Sequence, residues 1–335
     1  MLATLPPEAH HAPVDAYGRR VDYLRISVTD QCNERCLYCR PAGYRGWSAR
    51  PDHLTAAEIL EVARAAIRIG FRHFRLTGGE PLLRPDLLEI ASGLSALPGI
   101  ETLSLSTNGT RIASAAEALR QAGVQSVNLS LDAIQPDLYR EITGGSWAEF
   151  WDGFQAVLRA GFKTVKLNCV LLRGINEEEL RPLAHFAAEH QIPIRFIELM
   201  PLSLLQQART DLFLSVAEAK EIISGGQDLP PLPNHRPGHG PARYFRDPNS
   251  GAVIGFIGAL TTPDFCDSCN KMRLTADGKI RPCLGQHGEI DLREALRHHT
   301  EDAEELLRQA LANKPKDHDF TRGYEPARPM TALGG

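Results

Sequence analysis

Six of the seven cysteines fall into two groups of three. Cys32, Cys36 and Cys39 stand in CNERCLYC with the spacing C-x3-C-x2-C, and Cys266, Cys269 and Cys283 follow as C-x2-C-x13-C. Thiolates so spaced ligate zinc or an iron–sulfur cluster, and each of these ordinarily takes four protein ligands. Neither triad has an obvious fourth cysteine. Three thiolates on a four-iron cluster leave one iron without a protein ligand, and that open position is where a small molecule can chelate. Two other arrangements use the same residues: a triad sharing one helix face as core, or a triad joined by one of the 12 histidines to bind zinc. Asn33, Glu34 and Arg35 crowd the first triad with polar side chains, which opposes core packing. No paired histidines at zinc-finger spacing flank either triad, which opposes zinc. The remaining cysteine, Cys169, lies on the apolar face of a strand and reads as a small core residue.

The elements that must position these residues alternate strand and helix from residue 21 to about 200. Strands are predicted at 21–29, 72–77, 101–106, 126–131, 163–171 and 193–199. Helical patterns run near 55–69, 86–97, 112–122, 147–160 and 177–190, and Gly70, Gly123 and Gly161 stand where a C-cap glycine belongs. Such units imply parallel strands with right-handed crossovers. The expected fold is α/β, an incomplete (β/α)6 barrel of the TIM type, since closure would need eight units. After Met200 the rhythm is expected to stop, and 225–241 (GGQDLPPLPNHRPGHGP) reads as a linker. A smaller C-terminal α+β region over 242–335 should hold a strand at 252–260, a hairpin turning at Asp277-Gly278 and an amphipathic helix at about 290–313. The expected division is thus an arm at 1–20, a barrel at 21–224, the linker and the C-terminal region.

Buried parallel strands are normally continuous apolar runs, and these are not. Tyr23, Arg25, Ser27 and Thr29 share one face of the first strand, opposite Leu24, Ile26 and Val28. The same alternation sets His73, Arg75 and Thr77, then Ser104 and Ser106, then Asn128, Ser130 and Asp132, then Lys166 and Asn168, against apolar neighbours. The apolar face must meet the helices, so the polar face lines the barrel. Arg25, Arg75 and Lys166 cannot stay buried without counter-charge, so the lumen is expected to take an anionic ligand.

The 335 residues are 43% hydrophobic and 23% charged, as in a globular protein with a full core. A net charge of −4 gives no global reason to expect nucleic acid or an anionic membrane. No stretch is long and apolar enough to span a bilayer, and the N-terminal residues lack the apolar region of a secretory signal. An odd, clustered set of cysteines favours reduced thiols in a cytoplasmic enzyme over disulfides.

CNERCLYC resembles the signature of the radical S-adenosylmethionine (SAM) superfamily. The closer resemblance is to the GTP 3′,8-cyclase family of molybdenum-cofactor biosynthesis, and it runs from about residue 18 to the end. LRISVTDQCNERCLYC, RLTGGEPLLRPDL, STNGT, NLSLDA, KLNCV, RFIELM, CDSCNKMRLTADGKIRPCL and the terminal GG carry it. It implies two [4Fe–4S] clusters, one on each triad, with SAM chelated by its amino and carboxylate groups at the first open iron. One electron then cleaves the sulfonium to a 5′-deoxyadenosyl radical, and the second open iron binds the guanine of GTP. The implied reaction is that of a lyase: hydrogen leaves the ribose 3′ carbon, and the resulting radical attacks carbon 8 of guanine.

The resemblance also assigns residues. Tyr38, Gly79, Ser130 and Met200 match SAM contacts; Arg25, Arg75, Ser106, Lys166, Lys271, Met272 and Arg273 match GTP contacts; Gly334 and Gly335 match a tail that reaches the active site. Further implications are a reduced donor of flavodoxin or ferredoxin type, product hand-off to cyclic pyranopterin monophosphate synthase, and a homodimer. Lys271 and Ser106 depart from the family's more frequent arginine and threonine, and Lys271 loses the bidentate geometry of a guanidinium. Two rival readings use the same residues: a peptide-modifying radical SAM enzyme with an auxiliary cluster, and a non-catalytic iron–sulfur or zinc protein.

Overall fold

The computed structural model describes residues 12–39, 52–203, 210–298 and 302–334. The first part of the chain runs β1 (Tyr23–Ser27), α1 (Ala56–Arg68), β2 (His73–Thr77), α2 (Leu87–Ser95), β3 (Thr102–Thr107), α3 (Ala116–Gln121) and β4 (Ser126–Ser130). It continues with α4 (Pro136–Thr143), α5 (Trp147–Ala160), β5 (Thr164–Val170), α6 (Leu180–Glu189), β6 (Ile194–Ile197) and α7 (Val216–Ser224). The C-terminal part adds β7 (Arg243–Arg246), β8 (Val253–Ile257), β9 (Lys271–Leu274), β10 (Lys279–Arg281) and β11 (Ile290–Asp291). Three helices follow: α8 (Leu292–His298), α9 (Ala303–Ala312) and α10 (Met330–Leu333).

All the strands join one 11-stranded sheet in the order β11-β10-β9-β1-β2-β3-β4-β5-β6-β8-β7. β1 to β6 are mutually parallel, and β9 and β8 extend them, also parallel, beyond β1 and β6. Among the described residues β7 and β11 remain unjoined ends, so the sheet curves as an incomplete barrel.

The expected alternation places the apolar set outward. Leu24, Ile26, Val28, Phe74, Leu76, Leu103, Leu105, Val127, Leu129 and Leu167 all belong to the buried core beneath the helices, and so does Cys169. The helices meet this layer through ordinary apolar stripes. In α1, Ile59, Val62, Ala63 and Ala66 are buried, and Thr55 and Glu58 form a capping box at its start. In α5, Phe150 and Phe154 are fully buried, each worth roughly 1.5–3 kcal/mol, and Gly161 ends the helix at φ 72°.

Three expectations need correction. The βα rhythm does not stop after Met200: α7, started by a Ser215–Glu218 capping box, leads to β8 alongside β6. An additional helix, α4, begins on Pro136 and ends on left-handed Gly144; its two turns were too short to stand out by periodicity. The single helix expected over 290–313 is instead β11, α8 and α9, and Asp302 caps α9 by accepting from the N–H of Glu304.

Candidate active site

The first triad lies on the loop that leaves the C-terminal end of β1. The N–H of Cys39 donates to the carbonyl of Cys36 at 3.0 Å, turning the chain so that the thiols share one side. α4, missed by periodicity, braces this loop. Its last carbonyls lack helical partners, and those of Ile142 and Thr143 accept from the N–H groups of Leu37 (2.9 Å) and Arg35 (2.7 Å). Tyr139 of the same helix donates its hydroxyl to Glu34 at 2.8 Å. Tyr38, between the second and third cysteines, donates to Asp132 at 2.6 Å just beyond β4. The Gly78-Gly79 pair packs backbone to backbone against this loop: a Cβ on Gly79 would fall 2.0 Å from the Gln31 carbonyl oxygen.

Acidic groups surround the triad. Burial pushes Cys32 up to about 12, Glu34 to about 8, Glu80 to about 7 and Asp132 to about 6. Glu80 is wholly buried and accepts from Thr107 Oγ1 and the N–H groups of Asn108 and Leu82.

The second triad repeats the turn with different company. The N–H of Cys269 donates to the carbonyl of Cys266 at 3.1 Å. The β9–β10 hairpin then pairs Arg281 with Arg273 and returns the chain to Cys283, with Gly278 at φ 85° in the turn. Lys314, only 2% exposed, spends its ammonium on Cys269 Sγ (3.4 Å) and the carbonyls of Lys271 (2.9 Å) and Pro282 (2.7 Å). Arg19 reaches the carbonyl of Cys266 at 3.0 Å. Burial would raise the thiol of Cys269, but Lys314 and Lys271 outweigh it and bring it down to about 7; burial raises Cys266 and Cys283.

The two triads face each other along the lumen. Lys271 opens β9 opposite Tyr23, the first residue of β1, so Cys266 and Cys269 lie where the strands begin. Cys32, Cys36 and Cys39 lie where β1 ends. One cavity of about 370 Å³ is lined by all six of these cysteines.

The same cavity is lined by Arg25, Arg75, Ser106, Lys166, Lys271 and Arg273, and by Tyr38, Gly79, Ser130 and Met200. Arg75 donates to the Tyr23 hydroxyl, the Leu105 carbonyl and Ser106 Oγ. Burial drives the cations down, and their mutual repulsion adds to it. Arg25 falls well below its usual value; Lys166 drops to about 6, Lys271 to about 8 and Arg273 to about 10. So many cations in one enclosure destabilise the empty protein, and an anion there would relieve them.

Among the described residues two assigned ones stand apart from this lining. Met272 is fully buried in the apolar core, since β9 alternates and turns Lys271 and Arg273 to the lumen instead, so its side chain is not part of the lining. Gly334 is held beside the lumen, where Arg273 donates to its carbonyl; Met330 and Thr331 ahead of it line the cavity. Its φ is 75°, and a Cβ there would fall 2.6 Å from Thr77 Cγ2, so only glycine threads this path. Gly335 lies outside the described residues.

Sequence reasoning missed three groups. Arg195 in β6 is buried in the lumen wall and donates to Asn168 at 2.8 Å; applying the two-residue alternation to RFIEL would have found it. Lys314 and Arg19 reach the second triad from distant parts of the chain, and no local pattern signals them.

The donor set fits iron–sulfur chemistry. All six thiols are only partly buried, and each triad opens on the cavity. Among the described residues no three His, Cys, Asp or Glu converge as they would around a single metal ion. Among these residues, too, no helix is long and apolar enough to cross a membrane.

Residues 26–187 match the Radical SAM superfamily model and residues 192–320 the Molybdenum Cofactor Synthesis C model. In shape the chain resembles Streptococcus suis SuiB bound to precursor peptide SuiA, with a TM-score of 0.63 and 16% identity over 92% of this chain and 68% of that one. It also resembles native anSMEcpe with bound AdoMet, at 0.55 and 15% over 89% and 82%. At such identities the likeness concerns the fold alone. The fold and the match over its barrel define a radical SAM protein, a class whose members use SAM and an iron–sulfur cluster.

Sequence relatives are more specific. GTP 3′,8-cyclase of Pelotomaculum thermopropionicum is 43% identical over 328 residues, 96% of this chain and 99% of the relative. The cyclases of Moorella thermoacetica and Pseudomonas fluorescens are 40% and 38% identical, again over 96% of this chain, with 99% and 98% of the relatives covered. The chain belongs to the GTP 3′,8-cyclase family.

Proposed function

We propose that this chain is a lyase that cyclises GTP to 3′,8-cyclo-7,8-dihydroguanosine 5′-triphosphate, the first step of molybdenum-cofactor biosynthesis. The observation that carries the reading is the pairing of two three-thiol sets at opposite ends of one cationic cavity. Cys32, Cys36 and Cys39 would hold one [4Fe–4S] cluster and Cys266, Cys269 and Cys283 a second, and the first, with SAM, would supply the radical chemistry needed at C3′ of the ribose.

The chain's own residues bind, orient and enclose. Tyr38, Gly79, Ser130 and Met200 hold SAM against the first triad. Arg25, Arg75, Ser106, Lys166, Lys271 and Arg273 hold GTP; charge-assisted hydrogen bonds to phosphate are the strong kind, and a buried lumen strengthens them further. With the guanine at the second triad, C3′ and C8 of one nucleotide are kept together between the two ends, so ring closure is intramolecular. Barrel walls and the Gly334-Gly335 tail keep solvent from the radical. The barrel over 21–224 carries the SAM half, and 242–335 carries the guanine half.

A reduced flavodoxin or ferredoxin type of donor, a homodimeric assembly and hand-off to cyclic pyranopterin monophosphate synthase complete the proposal. Anaerobic incubation with SAM and reductant tests it. 5′-Deoxyadenosine should form only when GTP is present, and the protein should carry about eight irons. Formation indifferent to GTP, or a protein containing zinc alone, contradicts the reading.

A further inference from the structure

The segment 225–241 reads as a linker, yet its end crosses the lumen where the strands begin. Gly238, His239, Gly240 and Pro241 line the same cavity as the cations. His239 stacks on His73, the first residue of β2, with ring centroids 3.4 Å apart and planes 17° from parallel. It also stands edge-on to Tyr23, the first residue of β1, at 6.3 Å. Lys166 donates to the carbonyl of Pro237 at 2.8 Å, tying the strap to β5. The strap runs close to the cations: a Cβ on Gly238 would fall 3.3 Å from Lys166 Nζ, and one on Gly240 would fall 3.6 Å from Arg195 Nη1.

The strap is fixed at both sides but not satisfied in the middle. Among the described residues neither ring nitrogen of His239, nor the N–H of Gly238 or Gly240, meets a protein partner. His73, by contrast, already meets Thr102 Oγ1 at 3.0 Å. An imidazole and two amide N–H groups, next to Lys166 and Arg195 and open to the cavity, make a donor set for an oxyanion.

We propose that the 237–240 strap is the stop for the phosphate chain, with His239 and the flanking amides taking the terminal phosphate of a bound nucleoside triphosphate. The inference rests on the GTP reading and adds to it a residue that counts phosphates. A triphosphate reaches the strap; a diphosphate falls short and leaves these donors without an acceptor. Discrimination then comes from hydrogen bonds made or lost at the terminal phosphate.

The test is calorimetric binding of GTP, GDP, inorganic tripolyphosphate and pyrophosphate to the wild-type chain, His239→Ala and Gly238→Ala, at one pH and salt. His239 is exposed on the strap, so its truncation removes donors without opening the core. His239→Ala should cut the preference for GTP over GDP, and for tripolyphosphate over pyrophosphate, by about tenfold while SAM affinity holds. Gly238→Ala, which crowds Lys166, should cut both preferences likewise. Equal losses for long and short chains, or no loss, overturn the strap. If tripolyphosphate shows the His239 dependence while GTP fails to bind, the strap stands and the GTP reading falls.

Discussion

The two triads share a turn and differ in everything around it. In both, the N–H of the later cysteine of a C-x2-C pair donates back to the carbonyl of the earlier one. Around Cys32, Cys36 and Cys39 stand Glu34, Glu80 and Asp132, with Tyr139 donating to Glu34 and Tyr38 to Asp132. Around Cys266, Cys269 and Cys283 stand Lys314, Arg19, Lys271 and Arg273. The thiolates are alike, so the surrounding charge must select the ligand at each end. A sulfonium with its ammonium group suits the acidic end, and a nucleoside triphosphate suits the basic end and the cations beyond it. The raised carboxyls agree: a cation arriving beside Asp132 would draw it back toward the charged form.

The sharpest way to break this comparison is Arg273→Ala. It removes a lumen cation and the anchor of the tail at Gly334. Losing a charge-assisted bond costs about 1.5–3 kcal/mol, so GTP affinity should fall about 10- to 100-fold, read by calorimetry, with SAM affinity unchanged. Equal losses for both ligands would erase the distinction between the ends.

Lys314→Met should produce a smaller, local effect. Two buried carbonyls and a thiol lose their donor, for about 1–3 kcal/mol of stability in a denaturant titration. Iron bound at the second triad should be lost first, and the first triad should keep its own. A uniform loss of iron would contradict the assignment of Lys314 to one end.

The smallest effect is a proton. Lys166 is held at about 6 by burial and by Arg195 and Arg75, so it is mostly uncharged at pH 7.5 in the empty protein. A phosphate chain favours the charged form and raises that value. GTP binding should therefore take up a fraction of a proton, and affinity should fall as pH rises above about 6. Calorimetry in two buffers of different ionisation heat measures the uptake. Lys166→Met should reduce it, and SAM binding, which draws carboxyls toward the charged form, should show no uptake.

Much of the barrel was legible because its physics is local. A period of two over RISVT or VNLSL puts Arg25 and Asn128 on one face whatever the rest of the chain does. The same rule, applied to KMRL, would have turned Met272 into the core and left Lys271 and Arg273 in the lumen. Applied to RFIEL, it would have exposed Arg195. Pro136 and Gly144 mark the ends of α4, but two turns give too little periodicity to assert a helix between them. Lys314, Arg19 and His239 are another matter. Each meets its partners across long stretches of chain, Arg19 to Cys266 for instance, and only the folded sheet brings them together.

The central claim is that each triad serves its own ligand. Its most direct test is equilibrium binding of SAM and GTP to anaerobically reconstituted chains in which one triad at a time is changed to serine. With Cys266, Cys269 and Cys283 replaced, SAM affinity should be kept and GTP affinity lost; with Cys32, Cys36 and Cys39 replaced, the pattern should invert. If either replacement removes both ligands together from a folded chain, the division of labour between the two ends is wrong.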